Sequence, residues 1–182
     1  MDNLSPVEKL VELITYEDVN FEVVERPDVI WVGCLSYADN NTDDPNIGAT
    51  LERYQKYSGA GMNEQMNPDW SSALFINYET NELPSGILLA METYTEEQPE
   101  YYDVLTQPGG LWLRILNDDK AAALLGKSDV QTWEYITCGI LANAAKANGY
   151  IQNPDVNITI EHYNHAKNHT VSYAYIPIIK TN

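Results

Sequence analysis

The chain has 182 residues, of which 44% are hydrophobic, and this is enough for one globular domain with a buried core. Its 10 basic and 27 acidic side chains give a formal net charge of −17, which repels nucleic-acid phosphates and anionic membranes, so we expect no direct binding to either. No apolar run reaches the roughly 20 residues of a membrane span, and the first residues lack the pattern of a signal peptide, so we expect a cytoplasmic protein.

The first half of the chain contains signals for two helices and four strand segments. Ser5-Pro6 and Glu8 form a capping signature, and Leu10 and Leu13 begin an apolar stripe, which together predict a short helix. The other predicted elements are a strand over residues 21–37 that is interrupted near Pro27, a helix that Asp44-Pro45 opens and Gly59 ends, and a hairpin of residues 72–80 and 87–94.

The second half repeats this order of elements. A strand over residues 101–116 is broken at Pro108-Gly109-Gly110, and a capping box at residues 128–131 begins a helix that Gly149 ends. Residues 158–164 and 171–179 form the final predicted hairpin.

The two halves also match in residues. When EVVERPDVIWV is set against DVLTQPGGLWL, Pro108 and Trp112 each follow their counterparts Pro27 and Trp31 by 81 residues. We predict an α+β domain of two β-α-β-β halves, about residues 21–95 and 100–182, related by a pseudo-twofold axis. Residues 1–20 form a short N-terminal helix and lead-in. Antiparallel sheets carry helices on one face, and the opposite faces enclose a central ligand groove.

Strand alternation divides the stretch NITIEHYNH between two faces. Ile158 and Ile160 are expected beneath the helix, whereas Thr159, Glu161 and Tyr163 are expected to point into the groove. Glu161 is either a solvated strand acid or a buried functional carboxylate. In a groove it would be poorly solvated, its pKa would rise, and it could attract a cation or move a proton.

Large aromatic side chains are the other candidates for the groove. The chain has 13 tyrosines and four tryptophans against two phenylalanines, and Tyr and Trp combine an apolar face with a polar handle. Trp112, Tyr173 and Tyr175 are either ordinary core residues or, beside an acid, an aromatic cage. Tyr94 and Met91 end the corresponding hairpin of the first half, and their facing is ambiguous.

Metal and cofactor signatures are weak. His162 and His165 point to opposite strand faces, and no matching carboxylate or cysteine set accompanies them. Gly109-Gly110 is not followed by a helix, as a phosphate-binding loop would be. We therefore predict no metal site and no cofactor.

Four segments together are similar to a known family. EVVERPDVIWVGCLSY, PGGLWLRI, ITIEHYN and VSYAYIPI, in this order and spacing, resemble the GyrI-like small-molecule-binding domain, which is also the drug-sensing part of MerR-type and AraC-type multidrug regulators. The resemblance begins near Phe21. It implies that Glu161 lies at the bottom of an aromatic pocket that meets cationic aromatic drugs, that Trp112 lines this pocket, and that Tyr173 and Tyr175 contribute to it.

The resemblance leaves three functions open, two of which are known from stand-alone relatives. Some are hydrolases that open the cyclopropane of DNA-alkylating natural products, and here Glu161 would activate the attacking water. The alternatives are a non-catalytic module that binds aromatic small molecules, cationic or neutral, and a gyrase-inhibitor-like domain that contacts a protein partner. Whether Glu79 or Glu92 joins the site is left open.

Overall fold

The computed structural model describes residues 8–38, 47–57, 61–77, 84–165 and 171–181. Within these ranges no helix is long and apolar enough to cross a membrane. The helices are α1 (Ile47–Tyr57), α2 (Asp119–Ala122), α3 (Glu134–Thr137) and α4 (Ile140–Ala147). The strands are β1 (Lys9–Tyr16), β2 (Val19–Arg26), β3 (Val29–Tyr37), β4 (Trp70–Ile76), β5 (Gly86–Thr93), β6 (Asp103–Gln107), β7 (Gly110–Leu116), β8 (Tyr150–Gln152), β9 (Ile158–Asn164) and β10 (Val171–Lys180).

The strands form one antiparallel sheet in the order β1-β2-β7-β10-β9-β4-β5-β3-β6, with β8 paired to β10. The chain crosses between distant parts of this sheet at the two predicted breaks, from β2 to β3 at Pro27 and from β6 to β7 at Pro108. Proline has no N–H to donate to a strand ladder, which suits it to these positions. The breaks also meet, because the Gly109 N–H donates to the Asp28 carboxylate over 2.7 Å. The α+β prediction and both predicted hairpins are confirmed.

The predicted N-terminal helix is wrong over the described residues, where the chain is strand β1 paired to β2. Glu17 and Asp18 connect the two strands and both have positive φ, 47° and 64°, as in the primed turns of tight hairpins. Leu10 and Leu13 stay largely exposed, so their spacing does not mark a buried helical stripe. Pairing with β2 overrides the weak helical propensity. Ser5 and Pro6 lie outside the described residues.

The helix predicted after residue 128 is divided into α3 and α4. Gly139 separates them with a left-handed φ of 73°, a conformation that interrupts a right-handed helix. The capping contact also begins later than predicted, because the Gln131 N–H donates to the Glu134 carboxylate over 2.8 Å. The short helix α2, whose first turn is capped by the Asp118 side chain, has no counterpart among the predicted elements.

The sheet has two contrasting faces. The helix face carries the apolar residues that pack beneath α4 and α1, among them Leu113, Ile176 and Val32. The opposite face, here called the aromatic face, buries one large cluster. Its ring-bearing members are Trp31, Trp70, Trp112, Tyr173 and Tyr175.

Candidate functional site

Side chains of the aromatic face converge on Arg26, the last residue of β2. The carbon of its guanidinium lies 5.5 Å from the ring centroid of Trp31, 5.9 Å from that of Trp112 and 5.4 Å from that of Tyr175. These rings belong to β3, β7 and β10, which are spread along the sheet. The aromatic face is therefore curved around Arg26, which is only 2% exposed, and holds its charge by cation–π contacts.

A second arginine extends this arrangement. The Arg114 guanidinium lies 4.5 Å from the ring centroid of Tyr173 and 5.9 Å from that of Tyr175, whose hydroxyl accepts a hydrogen bond from Arg114 Nη1 over 3.2 Å. Arg114 faces Tyr175 across the β7–β10 pair, which places both side chains on the same face. We call Arg26, Arg114, Trp31, Trp112, Tyr173 and Tyr175 the arginine–aromatic cluster.

Three glutamates neutralise the two guanidinium groups. Glu8 bridges them, with Oε1 3.1 Å from Arg26 Nε and Oε2 2.9 Å from Arg114 Nη1. Glu92 pairs with Arg26 Nη2, and Glu22 pairs with Arg114 Nε. The side chain of Glu8 is fully buried, and this burial raises its pKa even though both guanidiniums act to lower it. With all five groups ionised, the three carboxylates and the two guanidiniums together carry a net charge of −1.

His162 and Trp70 form the wall of the aromatic face beside the cluster. Their rings are stacked, with centroids 4.3 Å apart and planes 14° apart, and Trp70 also stacks on Tyr173 at 6.1 Å. His162 Nδ1 shares a hydrogen bond with the Ser72 hydroxyl. Burial, reinforced by the charge of Arg26, lowers the pKa of His162 well below its usual value, so its imidazole is neutral at physiological pH.

Several buried polar atoms on this face have no hydrogen-bond partner among the described residues. They include Arg26 Nη1, His162 Nε2, Asn164 Oδ1 and Gln107 Nε2, although Gln107 Oε1 accepts the Trp31 Nε1–H bond over 2.8 Å. On the helix face, Thr159 Oγ1 and Glu161 Oε1 are in the same state. Buried polar groups are nearly always paired, so these atoms are groups that are able to contact a ligand.

Three of the predicted ligand-binding residues come together. Trp112, Tyr173 and Tyr175 share the aromatic face and one buried cluster. Trp70 and Trp31 join them, and Trp31 could have been found from its match to Trp112 in the sequence repeat.

Glu161 and Tyr163 do not lie with these rings, so their predicted facing is wrong. Glu161 faces Ala174 in the β9–β10 pair, whereas Tyr173 faces His162, so Glu161 points to the helix face. The prediction placed the apolar alternates Ile158 and Ile160 beneath the helix, but apolar clusters bury both faces of the sheet, so alternation alone does not tell which face the helices cover. Ile160, expected beneath the helix, belongs to the buried cluster of the aromatic face.

The remaining predicted residues also lie elsewhere. Met91 packs with Val32, Cys34 and Met62 on the helix face, and Tyr94 follows β5 with 58% of its surface exposed. Of the two glutamates left open, Glu92 joins the site through Arg26, and Glu79 lies outside the described residues. Within the described ranges, no group of three or more His, Cys, Asp or Glu side chains is placed to hold a metal ion.

Glu161 nevertheless occupies an unusual environment. It is 5% exposed, and its Oε1 has no hydrogen-bond partner among the described residues. Burial raises the pKa of Glu161 to about 7, outweighing the nearby Tyr163 hydroxyl and Trp133 backbone N–H, which act to lower it. Thr132 and Ser172, whose hydroxyls are hydrogen-bonded at 2.9 Å, complete a small polar group on the helix face.

Comparison with solved structures relates this architecture to known proteins. The chain is similar to SAV2435, solved bound to tetraphenylphosphonium, with a TM-score of 0.59, 14% identity, and coverage of 87% of this chain and 93% of that one. The chain shares its fold. A protein from Staphylococcus aureus MU50 assigned to bacterial transcription regulation matches with a TM-score of 0.56 and 13% identity over 88% of this chain and 98% of that one. The EcmrR C-terminal domain matches with a TM-score of 0.51 and 11% identity over the same shares. No protein-family model and no curated protein matches the sequence.

Proposed function

We propose that this chain is a GyrI-like domain that binds an aromatic small molecule carrying a positive charge on its aromatic face. The observation that carries the proposal is the arginine–aromatic cluster, in which buried rings and carboxylates already surround a cation. The similar protein SAV2435 binds tetraphenylphosphonium, an aromatic cation, which agrees with this ligand class.

The chemistry of the site favours such a ligand over a neutral one. Ring faces attract cations by their quadrupoles, and this attraction is stronger where water is excluded. Glu8 and Glu92 add two buried carboxylates, and the net charge of −17 draws cations toward the protein. An aromatic cation would gain both from contact of its rings with these side chains and from its charge.

The proposal includes the predicted organisation of residues 21–182 as one domain of two related halves, with residues 1–20 as the lead-in. The strand order supports this relationship. Outward from the central β9–β4 pair, β10 corresponds to β5, β7 to β3 and β2 to β6, and β1 is an addition at one edge.

Hydrolysis of cyclopropane-bearing toxins stays a prediction. Its expected base, Glu161, lies on the helix face, so the sheet separates this carboxylate from the rings expected to hold the substrate. This separation favours binding without catalysis. Mass-spectrometric detection of a water adduct after incubation with a cyclopropane alkylator would instead support the hydrolase, and Glu161→Gln tests its base.

The binding proposal is tested by titrating the chain with tetraphenylphosphonium, using the neutral triphenylphosphine oxide for comparison. Three of the four tryptophans lie on the aromatic face, so we expect saturable quenching of their fluorescence, stronger for the cation. Trp112→Leu should weaken binding, whereas Trp133→Leu, which alters a 45% exposed tryptophan beside α3, should not. Absence of saturable binding to either compound refutes the proposal and favours the protein-interaction alternative.

A further inference from the structure

The place that an external cation would take on the aromatic face is already filled by Arg26. Three rings lie within 6 Å of its guanidinium, and two of its nitrogens pair with Glu8 and Glu92. Its third nitrogen, Nη1, has no hydrogen-bond partner among the described residues. A buried aromatic cage with two carboxylates suits a cation, and Arg26 is the cation that occupies it.

The strand break beside Arg26 does not itself require a charge there. Gln107 stands before Pro108 as Arg26 stands before Pro27, and this neutral amide bonds to the Trp31 indole N–H. Both residues end a strand, β6 and β2 respectively. Because a neutral side chain is accommodated at one break, the guanidinium at the other has a separate role.

We infer that Arg26 is an intramolecular competitor, and that an external organic cation binds by displacing its guanidinium from between the rings. This inference rests on the proposed function and deepens it. Arg114 remains in place after displacement and still neutralises Glu8, whereas Glu92 becomes the counter-ion of the incoming ligand. The apparent affinity for any cation is then reduced by the fraction of molecules in which Arg26 fills the cage.

Competition of this kind also selects among ligands. A small guanidinium compound offers the same contacts as Arg26 but must bind from solution, so it cannot displace a tethered copy of itself. A larger lipophilic cation buries additional apolar surface and can therefore displace Arg26. Arg26 therefore makes the cage selective for aromatic cations over small hydrophilic ones.

The first experiment asks whether the cage accepts a free guanidinium once Arg26 is shortened. In Arg26→Ala, millimolar methylguanidinium should raise the melting temperature, whereas methylurea, its neutral isostere, should not. Neither compound should raise the melting temperature of wild type. Equal responses of wild type and variant to methylguanidinium would overturn the inference.

The second experiment asks whether Arg26 limits affinity and uses Arg26→Gln, which copies the neutral residue found at the other break and is less disruptive. By calorimetry, this variant should bind tetraphenylphosphonium at least about tenfold more tightly than wild type. Arg53→Gln removes the same charge from a partly exposed arginine that pairs with Asp103, and it should leave affinity unchanged.

The outcomes separate the two proposals. If wild type binds tetraphenylphosphonium and Arg26→Gln binds it no more tightly, the competitor role is wrong and the binding function stands. If wild type fails to bind it, the binding function is wrong, and displacement by an external ligand falls with it.

Discussion

Glu161→Gln is the sharpest test of the electrostatics on the helix face. The substitution keeps the size of the side chain but removes its titration. The pKa of Glu161 is raised by burial from its ordinary 4.5 to about 7. The folded protein therefore binds more protons than the unfolded chain between these values, and the free energy of unfolding falls as pH rises through this window.

The size of the effect follows from the shift. Each pKa unit corresponds to 1.36 kcal/mol, so ionised Glu161 should cost about 3 kcal/mol of stability above pH 7 relative to pH 4. Urea unfolding of wild type and Glu161→Gln at several pH values from 4 to 8 measures this difference directly. The free energy of unfolding of the variant should rise progressively relative to that of wild type as the pH increases from 4.5 to about 7.

A matched control lies in the same region. The pKa of Glu134 is lowered by its hydrogen bond from Lys127, so its ionised form stabilises the fold and Glu134→Gln should have the opposite pH dependence. A difference between Glu161→Gln and wild type that stays constant from pH 4 to pH 8 would refute the account of Glu161 as a carboxyl destabilised by burial.

Other predictions concern the cluster and the backbone. Glu92→Gln should lower the free energy of unfolding by about 3 kcal/mol because it leaves the buried Arg26 guanidinium short of a counter-charge, whereas Glu25→Gln, in an exposed pair, should cost less than about 1 kcal/mol by urea unfolding. Gly139→Ala should cost only about 1 kcal/mol, since its φ is positive but a Cβ meets nothing within 4 Å. Gly33→Ala should cost about 3 kcal/mol, because its Cβ would lie 1.9 Å from the Leu89 carbonyl oxygen; equal melting temperatures for the two glycine variants would contradict both estimates. The imidazole NMR signals of His162 should not titrate between pH 8 and 6, and a midpoint near 6.5 would contradict its neutral state.

Local signals predicted most of the elements, because hairpins and proline breaks are marked by short stretches of sequence. The failures occurred where pairing partners decide the outcome. Residues 9–16 form a strand because β2 pairs with them. The facing of Glu161 cannot be determined from alternation alone, because apolar clusters bury both faces of the sheet around β9.

The arginine–aromatic cluster could be predicted only in part. The sequence predicts Trp112, Tyr173 and Tyr175 as a group of amphipathic rings. It does not predict Arg26 as a member, because charged residues are expected at the surface and its partner Glu92 is 66 residues away in the chain. Glu8 and Arg114 are 106 residues apart, a separation at which sequence spacing carries no information on contact.

The crossings at Pro27 and Pro108 make the two halves of the chain interdependent during folding. β2 finds its neighbour in β7 of the second half, and β6 finds its neighbour in β3 of the first. Neither stretch of chain can complete its own part of the sheet in isolation, so stable structure has to wait until both have been synthesised. Such long-range pairing slows folding and leaves strand edges unprotected in the meantime.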